Sequence, residues 1–183
     1  VGYIGLSSRL ILASETGSEL AGVLAHEITH VTQRHIARSV YDSQRTSIVS
    51  MATMLAALVL GAAADMPSDA MQGVITASQA LAAQRQINFT RAHEHEADRV
   101  GIELLSNSGF DPSGMSAFLE KLSRRYGSSG FVTELLLTHP VSSDRVAEAR
   151  DRARQLPRVT HTSSQTYALT KTRLVALTAA TPE

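Results

Sequence analysis

Two histidines four residues apart, with a glutamate beside the first, place the strongest constraint on the fold of this chain. Residues 25–30 read AHEITH. In an α-helix, residues four apart lie about 40° apart around the axis, so His26 and His30 can direct both imidazoles toward one metal ion. The Glu27 carboxylate lies to one side, where it can reach a water molecule but cannot act as a third ligand. The same pattern also arises by chance, so the fold must supply further ligands before it indicates zinc.

The flanking residues predict that this motif lies in a helix. Thr16 to Glu19 read TGSE, a capping box that indicates a helix start. Apolar residues then recur at helical spacing and predict a buried stripe of Leu20, Val23, Leu24, Ile28 and Val31. We therefore expect a half-buried helix over residues 17–38. Because two histidines and a glutamate on such a face are costly without partners, this environment favours a metal site.

A second segment rich in ionisable residues can complete that site. Residues 91–101 read RAHEHEADRVG, and in a helix Glu94 and Asp98 share one face. Catalytic zinc has three protein ligands, so one carboxylate from this segment is enough. His93 and His95 point about 200° apart and cannot both reach the ion. We interpret them as outer or surface histidines. The alternative for the whole segment is a solvated charged helix.

The composition excludes several classes of protein. Seventeen basic and seventeen acidic residues give a formal net charge of zero, which provides no field for nucleic acid. The absence of cysteine excludes disulfides and thiolate zinc sites. The opening residues, VGYIGLSSRLIL, contain neither an initiator methionine nor a signal-peptide pattern. We therefore expect an N-terminally truncated part of a longer protein.

Most of the remaining chain carries helical signals. Residues 2–13 favour a short β-strand or hairpin, since their apolar residues are interleaved with glycine and serine. A further helix is predicted over residues 78–106, another begins after Asp111 as its N-cap, and residues 142–156 form a final charged helix. The expected fold class is therefore mainly α, with a small β-hairpin or sheet at the N-terminal end.

An apolar segment separates the two groups of candidate ligands. Residues 48–66 carry no charge before Asp65 and approach the length of a membrane span. The many alanines, together with Ser50, Thr53 and Gly61, favour a buried or surface-lying helix. A mobile lid and a true span are the alternatives. We favour a soluble or peripherally bound protein, because no second strongly apolar segment accompanies this one.

Three motifs together resemble one known family. HEITHVTQRHIAR is followed by EHEADRVGIELLSNSGFDPSGMSAFLEKL and then by LLLTHPVSSDRVAEAR. The chain looks like the gluzincin family of zinc endopeptidases that includes HtpX and the CaaX prenyl protease, and it is most similar to the periplasmic BepA-like branch. The resemblance covers residues 2–156. It implies one zinc ion per chain, held by His26, His30 and Glu94, with Asp98 accepting the N–H of a ligating histidine.

The resemblance also implies a mechanism and two further site residues. Bound zinc would acidify a water molecule and polarise the scissile carbonyl, and Glu27 would take the proton of that water. His139, in THP, matches a family histidine that can occupy the open zinc position in a resting enzyme. Alternatively it stabilises the transition state, or is an exposed loop histidine. Arg145 matches an arginine that could bind the substrate carbonyl or the oxyanion, although a helix-surface arginine is the ordinary case.

The resemblance finally implies a biological role. It predicts a periplasmic endopeptidase, latent at rest, that hydrolyses misfolded or unassembled outer-membrane proteins and works with the outer-membrane assembly machinery. Residues 1–156 would form the peptidase domain, and residues 157–183 would be a linker toward a repeat domain. Two alternatives stay open at this point. One is a chaperone or assembly factor that retains zinc but rarely cleaves, and the other is a structural zinc site or no metal at all.

Overall fold

The computed structural model describes residues 3–124, 136–157, 159 and 163–179. Regular structure in these residues is entirely helical. The helices are α1, Ser8–Ala13; α2, Gly17–Thr32; α3, His35–Ala63; α4, Ser68–Asn107; α5, Ser113–Arg124; α6, Ser143–Gln155; and α7, Gln165–Ala179. The chain divides into two compact units, Val1–Gln33 with Glu94–Glu183, and Arg34–His93, so that α4 contributes to both. The mainly α fold class is therefore confirmed.

The β element expected at the N-terminal end is wrong. Residues 3–7 have no regular structure, and the next six residues form α1. Ser7 caps this helix by accepting a hydrogen bond from the backbone N–H of Arg9 at 3.3 Å. Leu10 is buried in an apolar cluster with Phe118, Leu122 and Leu136. A strand needs a neighbouring strand for its backbone hydrogen bonds, and the described residues provide none, whereas a helical turn satisfies its own.

Helix α2 begins as predicted but ends earlier. The Thr16 hydroxyl accepts a hydrogen bond from the Glu19 N–H at 3.1 Å, and the Glu19 carboxylate accepts one from the Glu15 N–H at 2.7 Å. The helix stops at Thr32 because Arg34 adopts φ 55° and ψ 39°, the left-handed conformation. No glycine or proline marks this break. The buried stripe also differs from the prediction, since Leu20, Val23 and Leu24 are only partly buried and Ile28 and Val31 are exposed. The buried residues of the helix are Ser18, Glu19, Gly22, Ala25, His26 and Thr29.

In the first unit, α2 packs against α5, and α5 packs against α6. Its main apolar cluster contains Ala25, Ile102, Leu105, Met115, Leu119 and Ala149. Two glycines allow close approach of backbones. A Cβ on Gly101 would lie 3.2 Å from the His26 nitrogen, and a Cβ on Gly114 would lie 2.5 Å from the Ser18 carbonyl carbon. The part of α4 that carries the predicted carboxylates therefore lies against the motif helix.

The tail of the chain also contacts the first unit. The Ser163 hydroxyl accepts a hydrogen bond from the Gly17 N–H at 2.8 Å. In α7, the Tyr167 hydroxyl donates to the Ser14 carbonyl at 3.0 Å, and the Lys171 ammonium donates to the same carbonyl. These contacts tie residues 163–171 to the N-terminal end of α2.

The second unit is a helical hairpin made by α3 and the first part of α4. The helix predicted over residues 78–106 starts earlier, at Ser68, directly after the turn at Pro67. The Met71 side chain lies against Gly61, and the Ser43 and Gln86 side chains meet at 3.3 Å. His35 and His93 stack with ring centroids 4.2 Å apart. Helix α3 is long and apolar enough to cross a membrane, and only 6% of its most apolar window is buried.

Candidate metal centre

Helix α2 directs His26 and His30 to one point, as their spacing predicts. The two Nε2 atoms lie 2.9 Å apart, and the ring centroids are separated by 4.6 Å. Thr29, on the buried side of the same turn, donates its hydroxyl to the Ala25 carbonyl at 2.8 Å. That bond satisfies the polar group within the helix, so the inner face can pack tightly while both histidines face the cluster.

Helix α4 adds the Glu94 carboxylate to the same point. Its Oε2 atom lies 3.5 Å from Nε2 of His26, and its Oε1 atom lies 3.3 Å from Nε2 of His30. Glu94 is buried, so water cannot replace these partners. A buried carboxylate surrounded by imidazole nitrogens is the donor chemistry that zinc prefers in catalytic sites with two histidines and one glutamate.

His139 is the fourth member of the cluster. Its Nδ1 atom lies 3.2 Å from both Glu94 carboxylate oxygens and 3.4 Å from Nε2 of His26. The donor atoms of His26, His30, Glu94 and His139 all lie within 4.8 Å of one another. Zinc bonds of about 2.0–2.1 Å in a tetrahedron place donor atoms about 3.3 Å apart. The closest separations in this cluster, 2.9–3.5 Å, therefore fit one tetrahedral ion.

Behind the donors, Asp98 and Arg145 form a buried network. Oδ1 of Asp98 lies 2.9 Å from Nδ1 of His26, so the imidazole donates its Nδ1 proton there and its Nε2 atom faces the cluster. Arg145 donates to both Asp98 oxygens at 2.7 and 2.8 Å, to Oε2 of Glu94 at 2.8 Å and to the Pro140 carbonyl at 2.7 Å. One guanidinium therefore holds two carboxylates and the loop that carries His139.

The pKa shifts follow from this arrangement. Burial by itself would lower the pKa of His26, but the hydrogen bonds and charges of Asp98 and Glu94 outweigh it and raise that pKa to about 9. Burial would raise the pKa of Glu94, but its hydrogen bonds with His139, His26 and His30 hold it far below the usual value. The pKa of Asp98 is lowered in the same way by His26 and Arg145. Both carboxylates are therefore ionised and available to a cation.

Glu27 lies beside the donors at the edge of an apolar cleft. Its Oε1 atom is 3.5 Å from Nε2 of His139, and its side chain is partly open to solvent. The cleft has a volume of about 370 Å³, including space open to solvent, and its floor is apolar. The apolar side chains that line it are Val23, Met115, Phe118, Leu119, Leu122 and Val141. A carboxylate at the junction of a metal cluster and an apolar cleft is placed to act on a bond beside a bound apolar side chain.

The remaining predicted residues lie in three different environments. His95 is a partly exposed histidine that pairs with Glu148 at 2.7 Å, in line with its interpretation. His93 is outside the cluster but is not a surface residue, since it is only 4% exposed and stacks on His35. Arg145 is 2% exposed and holds the carboxylates, which favours a positioning role over contact with substrate.

Some residues of the site are not indicated by any sequence motif. The Pro140 carbonyl and the apolar floor of the cleft carry no local signal, since they come from separate segments that meet only in the fold. The contact of Arg145 with Glu94 also joins residues far apart in the chain. The one available hint was the THP motif followed five residues later by an arginine.

The family comparison matches residues 1–153 to the model of peptidase family M48. Among curated proteins, the chain is 42% identical over 175 residues to a protein from Vibrio cholerae named putative beta-barrel assembly-enhancing protease. It is 41% identical over 176 residues to the beta-barrel assembly-enhancing protease of Escherichia coli K12. Both alignments cover 96% of this chain and 36% of the relative, so the chain spans about a third of their length.

A more distant relative is the protease HtpX homolog of Methylibium petroleiphilum, which is 32% identical over 156 residues. That alignment covers 71% of this chain and 53% of the relative. The residues matched to the family, 1–153, include the segments that supply the cluster: α2, the second half of α4 and the segment around His139.

Proposed function

The chain belongs to peptidase family M48, and we propose that it is the catalytic part of a zinc-dependent endopeptidase. The observation that carries the proposal is the cluster of four donors, beside which Glu27 stands at the edge of an apolar cleft. Family membership implies a metallopeptidase, and the choice of zinc rests on the donor set. Two imidazoles and a carboxylate suit zinc, whereas magnesium and calcium take oxygen ligands.

His26, His30 and Glu94 would hold the ion. Zinc so held acts as a Lewis acid and lowers the pKa of bound water. Asp98 keeps the Nδ1 proton on His26, which leaves Nε2 free to coordinate. Arg145 balances part of the negative charge of Glu94 and Asp98, so the buried carboxylates keep their places when the metal is absent.

Glu27 is the proposed general base. Its carboxylate lies next to the donors and is partly open to solvent, so it can accept a proton from a water molecule there and deliver it to the leaving amine. The apolar cleft beside it would take an apolar side chain of the substrate. Unfolded polypeptides present such side chains, whereas folded proteins bury them.

The proposed substrates are therefore misfolded or unassembled proteins. The names of the relatives support outer-membrane proteins as the substrates and the barrel-assembly machinery as the partner, since both relatives are called beta-barrel assembly-enhancing proteases. A periplasmic location follows from the same likeness. The whole protein would combine this activity with segments that the relatives have beyond the aligned region.

One observation favours a second candidate function. His139 offers a fourth donor atom beside those of His26, His30 and Glu94, so with this loop in place it would compete with a water molecule for the open position on the ion. A protein in this state would act as an assembly factor or chaperone and cleave rarely. Latency and occasional proteolysis are compatible in one molecule if the loop that carries His139 moves.

Replacement of Glu27 by glutamine tests the catalytic proposal. The variant should bind zinc as the parent does, because Glu27 is not a ligand, while kcat/KM for an unfolded substrate such as casein falls about a hundredfold to ten-thousandfold. Metal content is measured by mass spectrometry on the same preparations, and a chelator serves as the negative control. Unchanged proteolysis in zinc-loaded Glu27→Gln protein would exclude Glu27 as the base.

A further inference from the structure

We propose that the hairpin of the second unit docks on an anionic lipid bilayer, with the outer face of α3 turned toward the lipid. The outer face comprises Ile48, Met51, Leu55, Leu58 and Val59, which recur at helical spacing. All of them are exposed, Leu55 by 64% and Val59 by 68%. This inference concerns a surface apart from the proposed catalytic residues and does not depend on their chemistry.

Large apolar residues lie on the outer face of α3 and small or polar residues on its inner face, which is the reverse of their usual distribution on a helix in water. The inner face, which turns toward α4, carries the small or polar residues Thr46, Ser50, Ala57 and Gly61, all partly or fully buried. At Gly61 the Met71 side chain lies so close that a Cβ would collide with it. In water, a helix turns its large apolar residues inward. Small residues between helices with large apolar residues outside are typical of helices that contact lipid.

The other helix of the hairpin, α4, indicates how deeply the hairpin enters the bilayer. The side of α4 away from α3 is exposed and mostly small or polar, with Gly73, Thr76, Ala80 and Gln84 beside the apolar Ile87. Asp65 lies between the two helices and Asp69 lies in the first turn of α4, and charged carboxylates are costly in hydrocarbon. The hairpin is therefore suited to lie in the interface, with α3 against the acyl chains and α4 toward water, rather than to cross the bilayer.

The charged residues of α3 indicate which class of lipid headgroup the hairpin would bind. Residues 46–64 carry no charge, whereas the preceding turns of α3 contain Arg38 and Arg45 against the single Asp42. On a helical projection the two arginines fall at the border of the outer face, about a quarter turn from its centre. Arginines in that position extend their guanidinium groups to headgroups while their stems cover apolar surface. Anionic headgroups complement this charge.

Single tryptophans can test the docking directly, because the chain contains none. Leu55→Trp places the probe on the outer face, and Thr76→Trp is the matched control on the opposite side of the hairpin. Vesicles of phosphatidylcholine and phosphatidylglycerol in equal parts should shift the emission of Leu55→Trp to shorter wavelength and leave that of Thr76→Trp unchanged. No shift at position 55, or equal shifts at both positions, would overturn the proposal.

Sedimentation with the same vesicles provides the second measurement. The double variant Leu55→Glu, Leu58→Glu should lower the bound fraction at least about tenfold, since it places charge on the lipid side. The variant Arg38→Gln, Arg45→Gln should weaken binding to the anionic vesicles about tenfold and leave binding to pure phosphatidylcholine unchanged. Helix content by circular dichroism confirms that each variant folds.

Other occupants of the outer face give different results. If a second copy of the chain covers it, the Leu55→Trp emission shifts with protein concentration when no vesicles are present, and light scattering shows a dimer. If the face is buried within the chain, the emission is already at short wavelength in dilute protein. Either result contradicts a lipid-facing surface.

Discussion

At the scale of single residues, the site depends on partners that compensate for buried charge. Glu94 and Asp98 are both buried and ionised, and they lie on the same helix one turn apart. Without a cation between them, two such carboxylates would repel each other and be costly to desolvate. Arg145 supplies that cation from α6, and His26 takes a share through its Nδ1 proton. We therefore expect metal binding and folding to be coupled through a few side chains.

Replacement of Arg145 should reveal this coupling. We expect Arg145→Leu to lower the free energy of unfolding by about 3–5 kcal/mol in metal-free protein, because it leaves two buried carboxylates uncompensated. Added zinc should recover part of the loss, since the ion supplies positive charge at Glu94. Arg154→Leu, on the exposed side of the same helix, is the control and should change stability little. Urea unfolding of the parent and of both variants, each with and without zinc, measures these differences, and a loss that zinc leaves unchanged contradicts the coupling.

His139 offers a second test at this scale. If it is a fourth ligand at rest, His139→Ala keeps its zinc through the three remaining ligands and cleaves unfolded substrate several-fold faster than the parent. If it stabilises the transition state instead, the same variant keeps zinc and loses activity. His95→Ala, which removes a histidine outside the cluster, should behave as the parent. Initial cleavage rates at equal zinc content distinguish the two roles.

At the scale of helices, close backbone contacts set the position of the candidate ligands. α5 approaches the N-terminal end of α2 at Gly114, and α4 approaches its middle at Gly101. Since interiors are closely packed, a methyl group at such a contact must displace a helix or force a side chain into another rotamer. Small residues at these points therefore serve the geometry of the site, although they carry no chemistry.

The contact at Gly114 can be tested with a pair of matched substitutions. A Cβ on Gly114 would meet the Ser18 backbone at 2.5 Å, so Gly114→Ala should lower the free energy of unfolding by about 1–3 kcal/mol. A Cβ on Gly73, also within a helix, would meet nothing within 4 Å. Gly73→Ala should therefore raise stability by about 0.5–1 kcal/mol through helix propensity. Thermal unfolding monitored by circular dichroism gives both values, and equal effects of the two substitutions would refute the packing argument.

At the scale of the whole molecule, the candidate ligands all belong to one of the two compact units. The cluster draws on α2, the second half of α4 and the segment around His139, all within the first unit. Residues 34–93, which lie in the sequence between His30 and Glu94, form a separate helical hairpin. The candidate metal site is therefore formed by residues of the first unit.

Zinc should accordingly stabilise the first unit selectively. At a free concentration one hundred times Kd, a single site adds about 2.7 kcal/mol, which corresponds to a rise in Tm of about 5–10 °C for a domain of this size. Calorimetry should place the shift in one transition and leave any separate transition of the hairpin unchanged. Glu94→Gln should abolish most of the shift, because a neutral amide is a poor zinc ligand. A shift of the same size in that variant would argue against Glu94 as a ligand.

Local sequence determined the parts of this protein that depend on spacing along one helix. The four-residue interval places His26 beside His30, the interval from Glu94 to Asp98 places both carboxylates on one face, and TGSE starts α2 where predicted. The resemblance carried by three motifs predicted the family, which the comparison confirms. These features are readable because helix geometry converts intervals in the chain into directions in space.

Tertiary structure alone decided the rest. The segment expected to be a strand became α1, since Leu10 could bury itself against α5 and no partner strand was present among the described residues. The break at Arg34 and the burial of His93 likewise depend on contacts and carry no local signal. Arg145 resembled a surface residue of a charged helix, yet it is buried because two carboxylates from α4 meet it there. Burial and charge pairing are set by which elements meet, and intervals within one element do not contain that information.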